Sequence, residues 1–285
     1  MQKRTSLNED KQLIDILNNL ATAYQEISVL KMKEARETIK HSRDFVEKLK
    51  IVFNSLTSSH ELDLSKTKNL KKVNTAKVLI TANSRFNGDI LRKITDAFLT
   101  DKDNADADIF VIGKIGEDLL KEVSLDFKYK TVQIPDTNIT SQDLKELLQQ
   151  LIKYRSVYVY YAVFKTVLNQ EVLITQIPSI YSLLDKKIQV QPDGSNSMLY
   201  LFEPSGEEIA DYLNDSVSIS VVRQTIYETE LARHAARISA MSKLIDKTNQ
   251  ESVKIKKEML KSNRSLNDRK QRERLTGISF WGGTI

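Results

Sequence analysis

The two ends of this 285-residue chain run for very long stretches without a glycine or a proline. Neither residue occurs before Gly88, and neither occurs between Val217 and Thr276. Glycine loosens a helix through backbone entropy, and proline breaks it by removing an N–H donor. Segments that lack both can stay helical until a side chain objects. Ser216 can cap a helix that starts near Val217. About 60 residues from there would reach ~90 Å at the α-helical rise, longer than a small globular domain is wide.

The apolar edge of these segments is narrow. In the C-terminal segment one seven-residue ladder reads Leu231, Ile238, Ile245, Ser252, Met259, Leu266, and a second reads His234, Met241, Thr248, Ile255, Ser262. In the N-terminal segment Leu13, Leu20 and Ile27 form one ladder, and Ile16, Ala23 and Leu30 the other. That edge weakens in KMKEARETIKHSRD and returns with Phe45, Leu49, Val52, Phe53 and Leu56. A stripe this thin suits contact with one other helix better than a globular core. The expected seam is Leu20 and Ile27 against Ile238, Met241, Ile245, Ile255 and Met259. The terminal helices are therefore expected to pair as a long antiparallel coiled coil.

The middle of the chain changes character. AKVLITA and DIFVIG are continuous apolar runs of the kind buried on both faces of a parallel sheet. GDILRKITDAFL, EDLLKEV and SQDLKELLQQLIKY have helical spacing, with Ile90, Leu91, Ile94 and Phe98 on one side of the first. SVYVYYAVF and EVLITQIPSI read as strands that could form an edge hairpin around KTVLNQE. MLYLFEP reads as a further strand, and SGEEIADYL as a short helix after Pro204. Alternating strands and helices predict an α/β layer, Rossmann-like, inserted between the end helices. The expected domains are a helix over 1–58, a polar linker over 59–74, an α/β domain over 75–214, and a helix with an apolar tip over 215–285.

Cysteine is absent, which removes disulfides, thiol catalysis and thiolate-held metal and fits a reducing compartment. The N-terminal residues lack the apolar core of a secretory signal, and no apolar run is long enough to span a bilayer. The three histidines, His41, His60 and His234, are far apart in sequence and show no metal-ligand spacing. His234 reads as a packed residue rather than a ligand. GKIGED has two glycines after a strand but lacks the Lys-Ser/Thr of a phosphate loop, so it reads as a strand-to-helix turn. Asp101, Asp103, Asp106 and Asp108 have the wrong spacing for a calcium loop and read as a solvated turn. No catalytic set, cofactor site or metal site is expected. The formal net charge is +5, concentrated at the C-terminal end, where Arg233 to Arg274 holds thirteen Lys or Arg against five Asp or Glu. Such a flank suits an acidic partner: nucleic acid, a lipid surface or an acidic protein groove.

RHAARISAM, followed by a long basic helix, resembles the EHAARM.AM signature of the gamma subunit of rotary F-type ATP synthases and ATPases. His234, Ala235, Ala236, Arg237 and Met241 match it, and Glu228 falls at a common Glu. LKMKEARE resembles the family's Lys-Met/Leu-Arg-x-Ala segment. VLITANSRFNGDIL resembles its first strand and turn, with Phe86 and Asn87 at the Phe-Asn pair. DIFVIGKIGED, the hairpin from VYVYYAVF to TQIPSI, YLFEPSGEEIADYL and the Asn263–Arg264 pair follow in the family's order. The chain departs from the family in three places. NSR replaces a glycine-rich turn, Thr22 to Ile27 replace Lys-Ala-Met-x-Met-Val, and Leu266–Asn267 replace an Arg-Gln pair.

The resemblance implies a non-catalytic central shaft that couples ATP hydrolysis or synthesis in a surrounding ring of alpha and beta subunits to rotation. It implies an epsilon-like partner, a membrane proton ring, and a place on the cytoplasmic side of a membrane with no span of its own. Expected ring-facing cations are Arg233, Arg237, Lys243, Lys247, Lys254, Lys257, Lys261 and Arg264, with Lys256 beside them. Ile278, Phe280 and Trp281 form the expected apolar tip. Three other readings are a specialised hydrolysing motor without a proton ring, a basic coiled-coil protein binding nucleic acid, and an α/β hydrolase with helical extensions. The nucleic-acid reading lacks aromatic residues interleaved with the basic run, and the hydrolase reading lacks site residues.

Overall fold

A computed structural model describes residues 2–59, 73–101, 107–123, 128–137, 139–151, 153–177 and 206–281. Its elements are α1 (Gln2–Ser59), β1 (Val73–Ile80), α2 (Ile90–Thr100), β2 (Asp108–Ile112), α3 (Lys114–Glu122), β3 (Tyr129–Val132), α4 (Ser141–Leu151), β4 (Tyr154–Phe164), β5 (Gln170–Ile177) and α5 (Gly206–Trp281). Helix α1 has 58 residues and α5 has 76. The long helix starts at Gly206, inside the segment expected to close the α/β domain, and continues through Gly277 to Trp281. The expected strand MLYLFEP and almost all of the expected linker lie outside the described residues.

The chain divides into two compact units, residues 1–27 with 238–285, and residues 28–237. Both end helices contribute to both units.

The larger unit is built on a five-stranded sheet of order β3-β2-β1-β4-β5. β1 runs parallel to β2 and β4, and β2 runs parallel to β3. β5 closes the edge as an antiparallel hairpin with β4, with Phe164 opposite Gln170. Successive strand residues face opposite sides, so each apolar run feeds two cores. Val78, Ile80, Phe110, Ile112, Val159 and Tyr161 pack with Leu144 and Leu147 of α4 and with Val222 and Ile226 of α5. Leu79, Ile109, Val111 and Tyr160 pack with Ile90, Ile94 and Phe98 of α2 and with Ala232 and Ala236 of α5. Helix α5 thus belongs to both cores. On α1, Ala35 and Ile39 pack on Leu231, and Arg43 Nη2 donates to Glu228 Oε1 at 2.8 Å. Numbers rise along α1 as they fall along α5, so the two helices are antiparallel.

In the smaller unit the inward residues of α1 are Leu7, Ile14 and Ala21, with Asn18 half-buried between them. On α5 they are Ile238, Met241 and Thr248, followed by half-buried Ile245, Ile255 and Met259. Leu20 and Ile27, expected in the seam, are 48% and 52% exposed. The occupied ladder on α1 stands one residue from the expected one, a rotation of about 100°. Ala21 is buried at 1% exposure, and the larger Leu13, Ile16, Leu20 and Ile27 are left outside. Asn18 Nδ2 donates to Asn249 Oδ1 at 2.7 Å across the pair. A polar contact at such a position sets register, because a slipped alignment loses it. Asn18→Ala should cost about 0.5–1.5 kcal/mol, the worth of one neutral hydrogen bond. A double-mutant cycle with Asn249→Ala, followed by urea unfolding, measures the coupling. Additive costs would show that the two amides do not interact.

Candidate functional site

Two features of this chain could do work: the outer face of the helix pair and the cluster at the carboxyl ends of the strands. The sequence expectations divide between them. Lys243, Lys247, Lys254, Lys257, Lys261 and Arg264 are all exposed on α5, as is Lys256. Lys254 pairs locally with Glu251 at 2.6 Å. At this exposure such a pair contributes about 0–1 kcal/mol and leaves the basic face available. Ile278, Phe280 and Trp281 fall in the last turn of α5; their side chains lie outside the described residues.

Arg233 and Arg237 do not share that face. Arg233 is buried at 6% exposure. Its Nη1 donates to the Thr81 carbonyl at 2.9 Å and to Asp136 Oδ1 at 3.0 Å, and its Nη2 donates to the Asp136 carbonyl at 3.1 Å. Arg237 Nη2 donates to Asn87 Oδ1 at 2.7 Å and Ser84 Oγ at 3.0 Å. Both guanidiniums therefore turn into the α/β unit. A side chain four residues further along a helix lies on the same side, so one pairing implies the direction of the other.

The acceptors stand just past β1 and β3. Asp136 Oδ1 accepts the Asn83 amide at 2.9 Å and Oδ2 accepts the Ser84 amide at 2.7 Å. Asn83 Nδ2 donates to the Ile134 carbonyl at 2.7 Å, and its Oδ1 accepts the Lys114 amide at 3.1 Å. Burial alone would raise the Asp136 pKa. The Arg233 charge and the hydrogen bonds from Ser84 and Asn83 outweigh it and hold the carboxyl below its ordinary 3.8. A depressed folded value stabilises the fold at any pH above the unfolded value, and the gain is lost as pH falls through the folded one. Acid unfolding of the wild type should therefore include a component below pH 3.8. Arg233→Met should shrink that component, and an unchanged acid limb would refute the coupling. Sequence reasoning missed Asp136 and Asn83, because only the strand order brings the loops after β1 and β3 together.

Open α/β sheets usually bind ligands in the crevice at these strand ends. Here Arg233 fills it. The remaining cavity, lined by Thr81, Gly113, Asp136 and Arg233 among others, is ≈ 10 Å³, room for about one water. The two glycines of GKIGED have packing roles. Gly113 takes a positive φ of 94°, and the Gly116 amide donates to Thr81 Oγ1 at 3.0 Å. His234 is buried beside Glu230, with its Nε2 3.8 Å from the carboxylate. Among the described residues no group of three acidic, His or Cys side chains could hold a metal, and no helix is long and apolar enough to cross a membrane.

A mainly parallel sheet with an antiparallel edge hairpin, a strand-end crevice lined by a buried arginine, and long antiparallel end helices define a mixed α/β fold framed by its own two termini. The family model described as ATP synthase matches residues 13–265. The chain belongs to this family, as a gamma subunit, the central rotor shaft of an F-type ATP synthase or ATPase. Solved structures share the fold. A chain of the Euglena gracilis mitochondrial ATP synthase OSCP/F1/c-ring assembly in rotational state 3 is 16% identical. That match covers 89% of this chain and 96% of that one, with a TM-score of 0.56. A chain from the central stalk and c-ring of Tetrahymena thermophila mitochondrial ATP synthase is 17% identical over 79% of this chain and 98% of that one, also at 0.56. A chain of the Euglena gracilis mitochondrial ATP synthase rotor in rotational state 1 is 17% identical over 82% and 98%, at 0.51.

Proposed function

We propose that this shaft turns inside a ring of alpha and beta subunits that carry the ATP chemistry, and that the chain itself is non-catalytic. The observation that carries the reading is the outer surface of the helix pair. Lys243, Lys247, Lys254, Lys257, Lys261 and Arg264 stand exposed along α5. A rotating contact must be strong enough to transmit force and must not bind any one subunit permanently. Charges on long side chains meet these demands, because each exposed pair is weak and its geometry is soft. The exposed row Leu13, Ile16, Leu20 and Ile27 on α1 adds an apolar side to the same surface. That asymmetry lets otherwise equivalent ring positions meet different faces of one shaft.

An epsilon-like subunit and a membrane proton ring complete the proposed assembly, which is peripheral to the membrane. The c-ring named with the Euglena and Tetrahymena chains supports the ring assignment. Affinity purification of the full chain, with mass spectrometry of every stably bound subunit, tests all of it. Alpha and beta subunits are the expected result, and their absence would overturn the reading. Their recovery without a proton-ring subunit would identify a hydrolysing motor detached from ion transport.

A further inference from the structure

We infer that Asp136 and Arg233 form a key that stops α5 from rolling in its seat, so that torque on the helix reaches the α/β sheet. The inference rests on the shaft reading and names the residues that make the shaft torsionally stiff. Helix α5 packs on one sheet face through Val222 and Ile226 and on the other through Ala232 and Ala236. Apolar contact of this kind is non-directional. Alanine methyls offer little relief for a neighbour to grip, so this seat resists separation better than rotation about the helix axis.

Beyond one long hydrogen bond from the Tyr227 hydroxyl to the Ile139 carbonyl at 3.3 Å, Arg233 supplies the direction. Its planar fork reaches three acceptors at 2.9 to 3.1 Å, and two of them are the backbone carbonyls of Thr81 and Asp136. Those carbonyls cannot follow a rolling helix unless the ends of β1 and β3 move with it. The Asp136 carboxylate is held in turn by the backbone amides of Asn83 and Ser84. The key therefore joins α5 to two strand ends at once, at the point where the helix passes from one core to the other. Arg237, one turn on, meets the β1–α2 loop at Ser84 and Asn87. Both members of the pair act as positioning residues.

The test uses the full chain. It has no cysteine, so Lys93→Cys on α2 and Tyr212→Cys on α5 place spin labels at two exposed sites of the larger unit and nowhere else. Double electron–electron resonance then reads the spread of their separation. Arg233→Lys keeps the charge and most of the bulk but loses the fork, and Asp136→Asn keeps an acceptor for the backbone amides. Both should broaden the distance distribution while far-UV circular dichroism stays the same. The control Arg269→Lys, on an exposed stretch of α5, should leave it unchanged. A distribution as narrow in both variants as in the wild type would overturn the key. In the assembled complex, a rotation probe attached at Lys93 should show wider angular spread during pauses for Arg233→Lys, with the hydrolysis rate retained. If the wild-type chain captures no ring subunits, the shaft reading fails while the resonance result still stands or falls by itself.

Discussion

Gly113→Ala is expected to destabilise the α/β unit more than any other single-methyl change described here. Gly113 sits between β2 and α3 with φ at 94°, a region that side-chain-bearing residues rarely adopt. A Cβ there would lie 2.7 Å from the backbone N, C and O of Ala82. These atoms cannot give way cheaply. The Ala82 carbonyl accepts the Ile115 amide, and the adjacent Thr81 amide donates to the Ile112 carbonyl, both at 2.9 Å. Backbone strain of about 1–3 kcal/mol adds to overpacking of about 1–3 kcal/mol, giving about 2–6 kcal/mol in all. That is a large fraction of the roughly 5–15 kcal/mol by which a typical domain is stable. Gly88→Ala makes the comparison. Gly88 also has a positive φ, 59°, but its Cβ would meet the Ala236 carbonyl at 3.4 Å, so only about 1–2 kcal/mol of strain is expected. Urea unfolding of the two variants should give midpoints in that order, and equal midpoints would show that the Ala82 backbone can yield.

Ile238→Asp should have a comparable effect in the other unit. Ile238 is 8% exposed, at the inward edge of the seam. The substitution removes buried apolar surface and leaves a carboxylate without a partner, and the two losses together are worth about 3–5 kcal/mol. Thermal unfolding followed by far-UV circular dichroism should show early loss of helix, and hydrogen exchange should rise in residues 238–262. Leu20→Asp provides the contrast. Leu20 was expected in the same seam but is 48% exposed, so its replacement should change the stability of the isolated chain by no more than about 0.5 kcal/mol. On the proposed function the ranking reverses in the complex, where Leu20→Asp should weaken capture of ring subunits. Equal destabilisation by both substitutions would mean that the seam has been placed on the wrong side of α1.

The fold was legible where residue type alone decides it. The absence of Gly and Pro marked both long helices, α1 over Gln2–Ser59 and most of α5. The apolar runs marked β1, β2 and β4, and the turn around KTVLNQE marked the β4–β5 hairpin, which Thr166 closes by donating its amide to the Asn169 carbonyl at 2.9 Å. The start of α5 was less legible. SGEEIADYL reads as a separate short helix and Ser216 as the cap of the next one, yet α5 runs unbroken from Gly206; a glycine in the first helical turn costs little, because those N–H groups lack intrahelical partners anyway.

The candidate site was half legible. The basic face of α5 followed from the pattern, since an exposed lysine needs nothing from the rest of the chain. Arg233 and Arg237 belong to the same run of charge and look no different in sequence, yet they turn inward. Their acceptors, Asp136, Ser84 and Asn87, are about 100 to 150 residues away along the chain, brought near by the side-by-side placement of β1 and β3 around β2. By itself the sequence determined what depends on local chemistry: two helices too long for a globule, a buried parallel sheet between them, and a positive flank. The tertiary structure decided which face of α1 meets its partner and which arginines become internal keys. A seven-residue repeat states only that a face exists; which one is used depends on how closely two backbones can approach, which favours a face with small residues such as the buried Ala21 over one of larger side chains, and no local pattern identifies that choice.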